Sequence, residues 1–138
     1  MYQVGTAVEF SAQHVMPGVE GPEGTLHTHD YRLEVLLERE VLDDRGMVCD
    51  LDVLDAVLAR IDHTVRGRNL DEIRPPDAEA VTVEVFARWA HAEIAGELAG
   101  TGVDQVSVRI YENPDAFGGY SAPPGLTTPR LAGYGCAC

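Results

Sequence analysis

Positive charge is scarce in this sequence, and its scarcity excludes two classes of partner. The chain has 10 lysine and arginine residues against 23 aspartate and glutamate residues, so its formal net charge is −13 at pH 7. Such a chain is repelled by the phosphate backbone of nucleic acids and by anionic membrane surfaces. We therefore expect no nucleic-acid partner and no membrane partner, whereas a small anionic substrate in a locally positive pocket is compatible with this composition.

Long apolar runs and cysteines are also few. No stretch of 18 or more apolar residues is present, and the N-terminus lacks a basic segment followed by an apolar one. The sequence therefore predicts neither a transmembrane helix nor a secretory leader, and we expect a cytoplasmic protein. Three cysteines, Cys49, Cys136 and Cys138, are too few for a disulfide framework. The CxC pair could bind a soft metal, but we interpret it as part of a frayed tail because no other cysteine or histidine lies beside it.

What the chain does contain fits one globular domain. Its 138 residues are 45% hydrophobic, which is enough to build a sizeable core. Residues 113–138 are dense in glycine and proline and are expected to follow the surface or to be partly disordered. We place a folded domain at residues 1–120 and a Gly/Pro-rich C-terminal tail at residues 121–138.

Alternation of apolar and polar residues predicts four strands. The apolar positions of the second strand share the parity of His27 and His29, so these imidazoles should face the same side as its core residues. The third strand, MVCD, follows the turn LDDRG and would complete a β-hairpin with the second. The predicted strands span residues 2–11, 28–40, 47–50 and 103–112, with a loop rich in glycine and proline at 15–26.

Two segments carry apolar residues at helical spacing. The first spans residues 50–61 with Asp50 as N-cap, and the second starts near Thr82 and stops at Gly100. The predicted order β-β-β-α-α-β is typical of an α+β domain with two helices on one face of a four-stranded antiparallel sheet. The two sheet edges carry little that would protect them, which favours edge-to-edge pairing into an oligomer.

Three histidines could meet at the ends of neighbouring strands. In GTLHTHDY (residues 24–31), His27 and His29 lie on alternate positions, and His14 ends the first strand in FSAQH. Three protein ligands plus an open position are the pattern of catalytic zinc, where the metal polarises an oxygen of the substrate. The alternative is that these are exposed or hydrogen-bonded histidines at strand ends.

Two further places carry groups suited to acid–base or binding roles. A histidine held by a carboxylate, as in Asp62-His63, can transfer protons near neutral pH, although His63 could equally respond to the dipole at a helix C-terminus. Glu112 puts a carboxylate where the last strand should point inward, and a buried carboxylate needs a partner. The amidine edge of a pterin or guanine would satisfy it, unless the strand has already ended and Glu112 is solvated.

Six segments together resemble a known family. They are, in chain order, FSAQH, LHTHDYRLEV, GMVCDLDVL, RIDHTV, VTVEVFARWA and IYENPDAFGGY. Their order and spacing over roughly residues 3–120 are similar to those of 6-pyruvoyl-tetrahydropterin synthase and its bacterial relative 6-carboxy-tetrahydropterin synthase. The resemblance implies a tunnelling fold (T-fold) for the pterin synthase-like domain at residues 1–120. In that fold, trimers close into a β-barrel, usually pair into hexamers, and hold their sites between subunits.

The resemblance also assigns roles to residues. It implies zinc on His14, His27 and His29, with HTH standing where the family has HGH. It implies that Glu112 anchors the amino and N–H edge of a pterin and that Thr82 lines the pterin pocket. Finally, it implies a proton relay made of Asp62 and His63.

The chain departs from the family at one catalytic position. The family's catalytic cysteine lies in the loop before HGH, where this chain has Glu23, with Glu20 close by. A family subgroup with glutamate at that position is associated with cleavage of dihydroneopterin triphosphate to 6-hydroxymethyl-dihydropterin. Cys49 is a remote substitute, because a strand separates it from the loop.

Two functions from different classes follow from the resemblance. One is a zinc-dependent lyase acting on 7,8-dihydroneopterin triphosphate or a related pterin, by side-chain elimination or carbon–carbon cleavage, or the same site used in a specialised-metabolite pathway. The other is a non-catalytic module that binds a pterin or purine and has lost turnover together with the cysteine.

Overall fold

The computed structural model describes residues 1–125 and shows one antiparallel sheet with two helices packed on it. The four strands lie side by side in chain order, each antiparallel to its neighbour. The part of the predicted tail that holds Cys136 and Cys138 lies outside the described residues. The elements are β1 (Tyr2–His14), β2 (His27–Arg39), α1 (Leu51–Val65), α2 (Val83–Leu98), β3 (Gln105–Asn113) and β4 (Ala116–Ala122), with short 3-10 helices at Pro22–Gly24 and Leu70–Ile73.

Local sequence explains why these elements form. Odd-numbered positions in the middle of β2, from Tyr31 to Leu37, are buried, which is the alternation expected of a strand with one covered face. The Asp50 carboxylate accepts a hydrogen bond from the Asp52 backbone N–H at 2.9 Å and caps α1. The Thr82 hydroxyl accepts one from the Val85 N–H at 3.1 Å and caps α2. These features confirm the α+β class with a four-stranded antiparallel sheet and two helices.

The predicted third strand is wrong. Residues 47–50 are not a strand. They follow a turn in which the Asp43 carboxylate accepts hydrogen bonds from the Arg45 and Met47 N–H groups, both at 2.9 Å. The Asp43 N–H also donates to the Met47 carbonyl at 3.0 Å. Because these local bonds satisfy the backbone, the segment closes on itself instead of pairing with β2.

The fourth strand lies instead in the region expected only to follow the surface. The segment AFGGYSA forms β4, and its two glycines are needed for close approach rather than for a turn. A Cβ on Gly119 would lie 2.7 Å from the Val108 carbonyl oxygen, and one on Gly118 would lie 2.6 Å from the Val83 side chain at the start of α2. In a sequence, two adjacent glycines suggest a turn. In this structure they allow β4 to pack closely against its neighbours.

The two sheet edges differ. The end of β1 near His14 is covered, because the Arg66 side chain donates to the Glu9 carbonyl at 2.9 Å and the Gly67 N–H donates to the Ser11 carbonyl at 2.7 Å. The Gln13 N–H in turn donates to the Arg68 carbonyl at 2.8 Å. Within the described chain, residues 2–8 of β1 and all of β4 have no strand on their outer side.

Candidate metal centre and ligand pocket

The strand register brings the three predicted histidines together. His14 pairs directly with His27 in the β1–β2 ladder, and His29 lies opposite Ala12, two positions further along the same face. The ring centroids of His27 and His29 are 4.6 Å apart, and that of His14 lies 5.4 Å and 6.0 Å from them. The alternation predicted from the sequence therefore places all three imidazoles at one end of the core-facing side of the sheet.

His14 is buried, and neither of its ring nitrogens makes a well-aligned hydrogen bond to a described residue. Burial lowers the pKa of His14 below its ordinary value, although the nearby Glu112 carboxylate and the Val81 backbone act in the opposite direction. A buried polar group without a partner is rare in native proteins and calls for an explanation. A metal ion bound to the neutral imidazole would provide one.

The tautomer of His27 follows from its contact with the backbone. Its Nδ1 lies 2.7 Å from the Thr25 carbonyl oxygen, which can only accept, so Nδ1 carries the proton and donates. The lone pair of Nε2 therefore points into the cluster, 3.0 Å from Nε2 of His29. Two nitrogens bound to one tetrahedral zinc ion are about 3.3 Å apart, so the spacing suits a shared metal. Metal-binding histidines typically donate their other ring N–H to a carbonyl in this way.

Glu23 joins this cluster, whereas Glu20 does not. One ligand atom each from His14, Glu23, His27 and His29 lie within 4.8 Å of one another. The Glu23 carboxylate is 3.3 Å from Nε2 of His27. The sequence could not choose between the two glutamates because the loop length is variable, but in the structure Glu20 is exposed and outside the cluster.

A β-bulge positions Glu112 at the edge of the cluster. Between β3 and β4 the pairs Tyr111↔Phe117 and Asn113↔Ala116 leave Glu112 as the extra residue, and bulges commonly redirect a side chain. Its carboxylate lies 3.4 Å from Nε2 of His29, with the side chain 32% exposed. The strand thus continues past Glu112, and the carboxylate is partly buried rather than a solvated strand end.

An open cleft of about 950 Å³ reaches Glu112 but lies mainly on the face of the sheet that the helices leave uncovered. Most of its lining alternates with the core-facing positions of the strands and is polar or charged, such as Ser11, Asp30, Arg32 and Glu34, with Arg66 beside them. Burial, and secondarily the charge of Glu112, raise the pKa of Tyr31, so its hydroxyl stays protonated. The cleft and the histidine cluster therefore lie mainly on opposite faces of the sheet and meet only near His29 and Glu112.

Asp62 and His63 lie elsewhere in the chain. Both belong to the last turns of α1, and His63 is exposed. The Asp62 carboxylate forms a bidentate ion pair with Arg66, at 2.7 Å and 3.0 Å, instead of holding His63. Neither residue is in the metal-ligand cluster of this single chain. The pairing with Arg66 was not anticipated from the sequence, although its spacing of four residues on a helix is a recognisable signal.

Thr82 and Cys49 make local contacts outside the histidine cluster. The Thr82 hydroxyl caps α2, and the residue lines a smaller cleft of about 420 Å³ together with Met16 and Arg88. Cys49 is half-buried, and its thiol donates to the Asp50 carbonyl at 3.5 Å. Burial and the Asp50 carboxylate raise the pKa of Cys49, so the thiol is poorly suited to act as a nucleophile or base.

Comparison with known proteins agrees with this geometry. The sequence model of 6-pyruvoyl tetrahydropterin synthase matches residues 3–123. The chain belongs to this family. A 6-carboxy-5,6,7,8-tetrahydropterin synthase from Synechocystis sp. is 30% identical over 105 residues, which cover 70% of this chain and 81% of that protein.

Solved structures of the family share the fold. A 6-pyruvoyl tetrahydropterin synthase from Caenorhabditis elegans superposes with a TM-score of 0.66 at 24% identity, over 88% of this chain and 94% of that one. The Plasmodium vivax synthase, in a variant that replaces a catalytic glutamate by cysteine, gives a TM-score of 0.68 at 14% identity, over 89% and 99% of the chains. The T-fold is therefore shown. None of the helices described is both long and apolar enough to cross a membrane.

Proposed function

We propose that the chain is a zinc-dependent pterin lyase of the 6-pyruvoyl tetrahydropterin synthase family. Its substrate would be 7,8-dihydroneopterin triphosphate or a related pterin, and the reaction a side-chain elimination or carbon–carbon cleavage. The observation that carries this proposal is the buried His14 beside His27 and His29, whose ring nitrogens lack well-aligned hydrogen bonds. A purely structural histidine cluster would not leave two buried ring nitrogens without such bonds.

Zinc would be held by His14, His27 and His29 and would supply Lewis-acid polarisation of the hydroxyl groups on the pterin side chain. The protein prepares these ligands in two ways. Burial keeps His14 neutral, and the Thr25 carbonyl fixes the tautomer that leaves Nε2 of His27 free. Both conditions are required, because only a deprotonated ring nitrogen can bind a metal.

Glu23 would act as the base that moves protons on the pterin side chain. It lies in the loop where the family carries its cysteine, and its carboxylate reaches the histidine cluster. The Plasmodium vivax relative also has a catalytic residue that is glutamate before its replacement by cysteine. This likeness favours carbon–carbon cleavage to 6-hydroxymethyl-dihydropterin. Asp62 and His63 remain candidates for a relay, for which the ion pair of Asp62 with Arg66 would have to open.

Glu112 would bind the pterin ring through its amino and N–H groups. Replacing it with glutamine should weaken pterin binding about tenfold to a thousandfold, because the amide loses the charge and one acceptor. This change corresponds to about 1.4–4 kcal/mol of binding free energy. Titration calorimetry with neopterin measures it, and Asp115→Asn, a nearby exposed carboxylate, is the control. Equal dissociation constants for wild type and Glu112→Gln would contradict this role.

A product assay tests the reaction itself. Zinc-loaded protein is incubated with 7,8-dihydroneopterin triphosphate, and mass spectrometry is used to look for a new pterin. Formation of 6-hydroxymethyl-dihydropterin would support cleavage, and a 6-pyruvoyl product would support elimination. Binding without any product would favour the non-catalytic module. Turnover of a different pterin only would favour a specialised-metabolite enzyme.

We also propose that the chain assembles into a trimer or a dimer of trimers. In a sheet of four alternating strands, β4 runs antiparallel to β1, so rotation about one axis can pair β4 of one copy with β1 of the next. The seven residues of β4 match the uncovered stretch at residues 2–8 of β1 in length. Such pairing removes both exposed edges.

Light scattering should therefore give a mass three or six times the chain mass of 14.9 kDa. The mass should persist on dilution through the micromolar range, because closing a ring forms every interface at once. A single species at the mass of one chain over that range would contradict assembly, and with it a site built between subunits.

A further inference from the structure

We infer that Glu23 is the fourth ligand of the metal when no pterin is bound, and that it leaves the metal when a pterin side chain takes its place. This inference rests on the proposed zinc site. It adds the state of the site at rest, in which a carboxylate of the chain itself closes the coordination sphere. The base would then become available only when the substrate is present.

The geometry separates Glu23 from the other nearby carboxylate. A Glu23 oxygen lies within 4.8 Å of a ring nitrogen of each of the three histidines, and 3.3 Å from Nε2 of His27. Atoms bound to the same tetrahedral zinc ion are about 3.3 Å apart, so the contact of Glu23 with His27 has the spacing of two ligands of one ion. Glu112 approaches His29 but is not a member of this group.

Hydrogen bonds and one close backbone approach fix the position of the Glu23 backbone in its loop. The Met16 N–H donates to the Glu23 carbonyl at 2.8 Å, and the Thr25 hydroxyl donates to the Pro22 carbonyl at 2.9 Å. A Cβ on Gly24 would lie 1.7 Å from the Val19 carbonyl oxygen, so only glycine fits there. Thr25 also holds His27, so one short stretch of chain positions both Glu23 and a metal ligand.

The side chain itself is free to leave. It is 54% exposed, against 19% for His27, and its carboxylate can rotate towards solvent without disturbing the core. Glu23 therefore combines a fixed backbone with an exposed side chain, which suits a carboxylate that binds the metal reversibly. While on the metal, the carboxylate partly neutralises the ion and its lone pair is engaged, so it is a weak base. Once released, it lies beside the pterin side chain.

Metal affinity distinguishes this arrangement from a simple ion pair between Glu23 and His27. Zinc dissociation constants are measured by competition with a chromophoric chelator for wild type, Glu23→Ala, His27→Ala and the loop control Glu20→Ala. Loss of one of four ligands should weaken zinc binding about tenfold or more in Glu23→Ala, with no change in Glu20→Ala. Neopterin should bind zinc-loaded Glu23→Ala at least as tightly as wild type, because no carboxylate has to be displaced.

Cobalt substitution reports on the exchange directly. The visible spectrum of the Co²⁺ protein should differ between wild type and Glu23→Ala without ligand, and neopterin should bring the two spectra together. Equal zinc affinity in Glu23→Ala and wild type, with zinc lost in His27→Ala, would overturn the inference and leave the zinc site standing. Full zinc affinity in His27→Ala would overturn both. A wild-type cobalt spectrum that saturating neopterin does not change would overturn the exchange.

Discussion

Alanine in place of Glu23 is expected to lower turnover of the pterin substrate by about a hundredfold or more, which is the usual cost of losing a general base. The protein should still hold one zinc ion per chain when zinc is in excess, since the three histidines remain. Pterin binding should not weaken, because Glu112 binds the ring. Turnover is measured by product formation under saturating zinc and saturating substrate.

The matched control is Glu20→Ala, which removes an exposed carboxylate from the same loop and should turn over at the wild-type rate. Glu23→Cys would restore family-typical chemistry only if the loop allows the shorter side chain to reach. An active wild type whose rate is unchanged in Glu23→Ala would show that Glu23 is one more exposed acid. The search for the base would then move to His63.

Removal of the His27 imidazole should abolish stable zinc binding. Its Nε2 lies at the centre of the cluster, near both His29 and Glu23, so its loss leaves two imidazoles and an exposed carboxylate. We expect the zinc dissociation constant of His27→Ala to rise by about a hundredfold or more, and metal analysis after dialysis to find far less than one equivalent. Activity should fall in parallel and recover little with added zinc.

His63→Ala serves as the control for zinc content, because it removes an exposed imidazole outside the cluster. Thermal unfolding of both variants without metal shows whether the sheet is intact. A full equivalent of zinc in folded His27→Ala would contradict the three-histidine centre.

Sequence patterns predicted the centre of the site better than its surroundings. Alternation along a strand is local, so the parity of His27 and His29 could be inferred from the chain alone, and pairing with β1 needed only antiparallel neighbours. The position of Glu23 in the cluster could not be inferred in the same way. It depends on a turn closed by the Met16 N–H and on the close approach of Gly24 to Val19, and neither contact leaves a pattern in the sequence.

The fold was predicted in class but not in every element, and for a similar reason. MVCD has the composition of a strand, yet the Asp43 carboxylate holds the preceding turn in a local hydrogen-bond network. AFGGYSA has the composition of a turn, yet Gly118 and Gly119 are there because α2 and β3 lie too close for a side chain. In the first case local hydrogen bonds outweighed strand propensity, and in the second the close approach of other elements outweighed turn propensity.

The covered end of β1 also bears on aggregation. An open strand edge allows a strand of another chain to bind in several registers, and such slippage leads to irregular fibres. Here Arg66, Gly67 and Arg68 engage the backbone from Glu9 to Gln13, so a slipped strand would meet an obstacle after residue 8. The same loop that follows α1 thus acts as a stop. It limits the stretch of β1 that is available for pairing to the length of β4, and this favours closed rings over open-ended fibres.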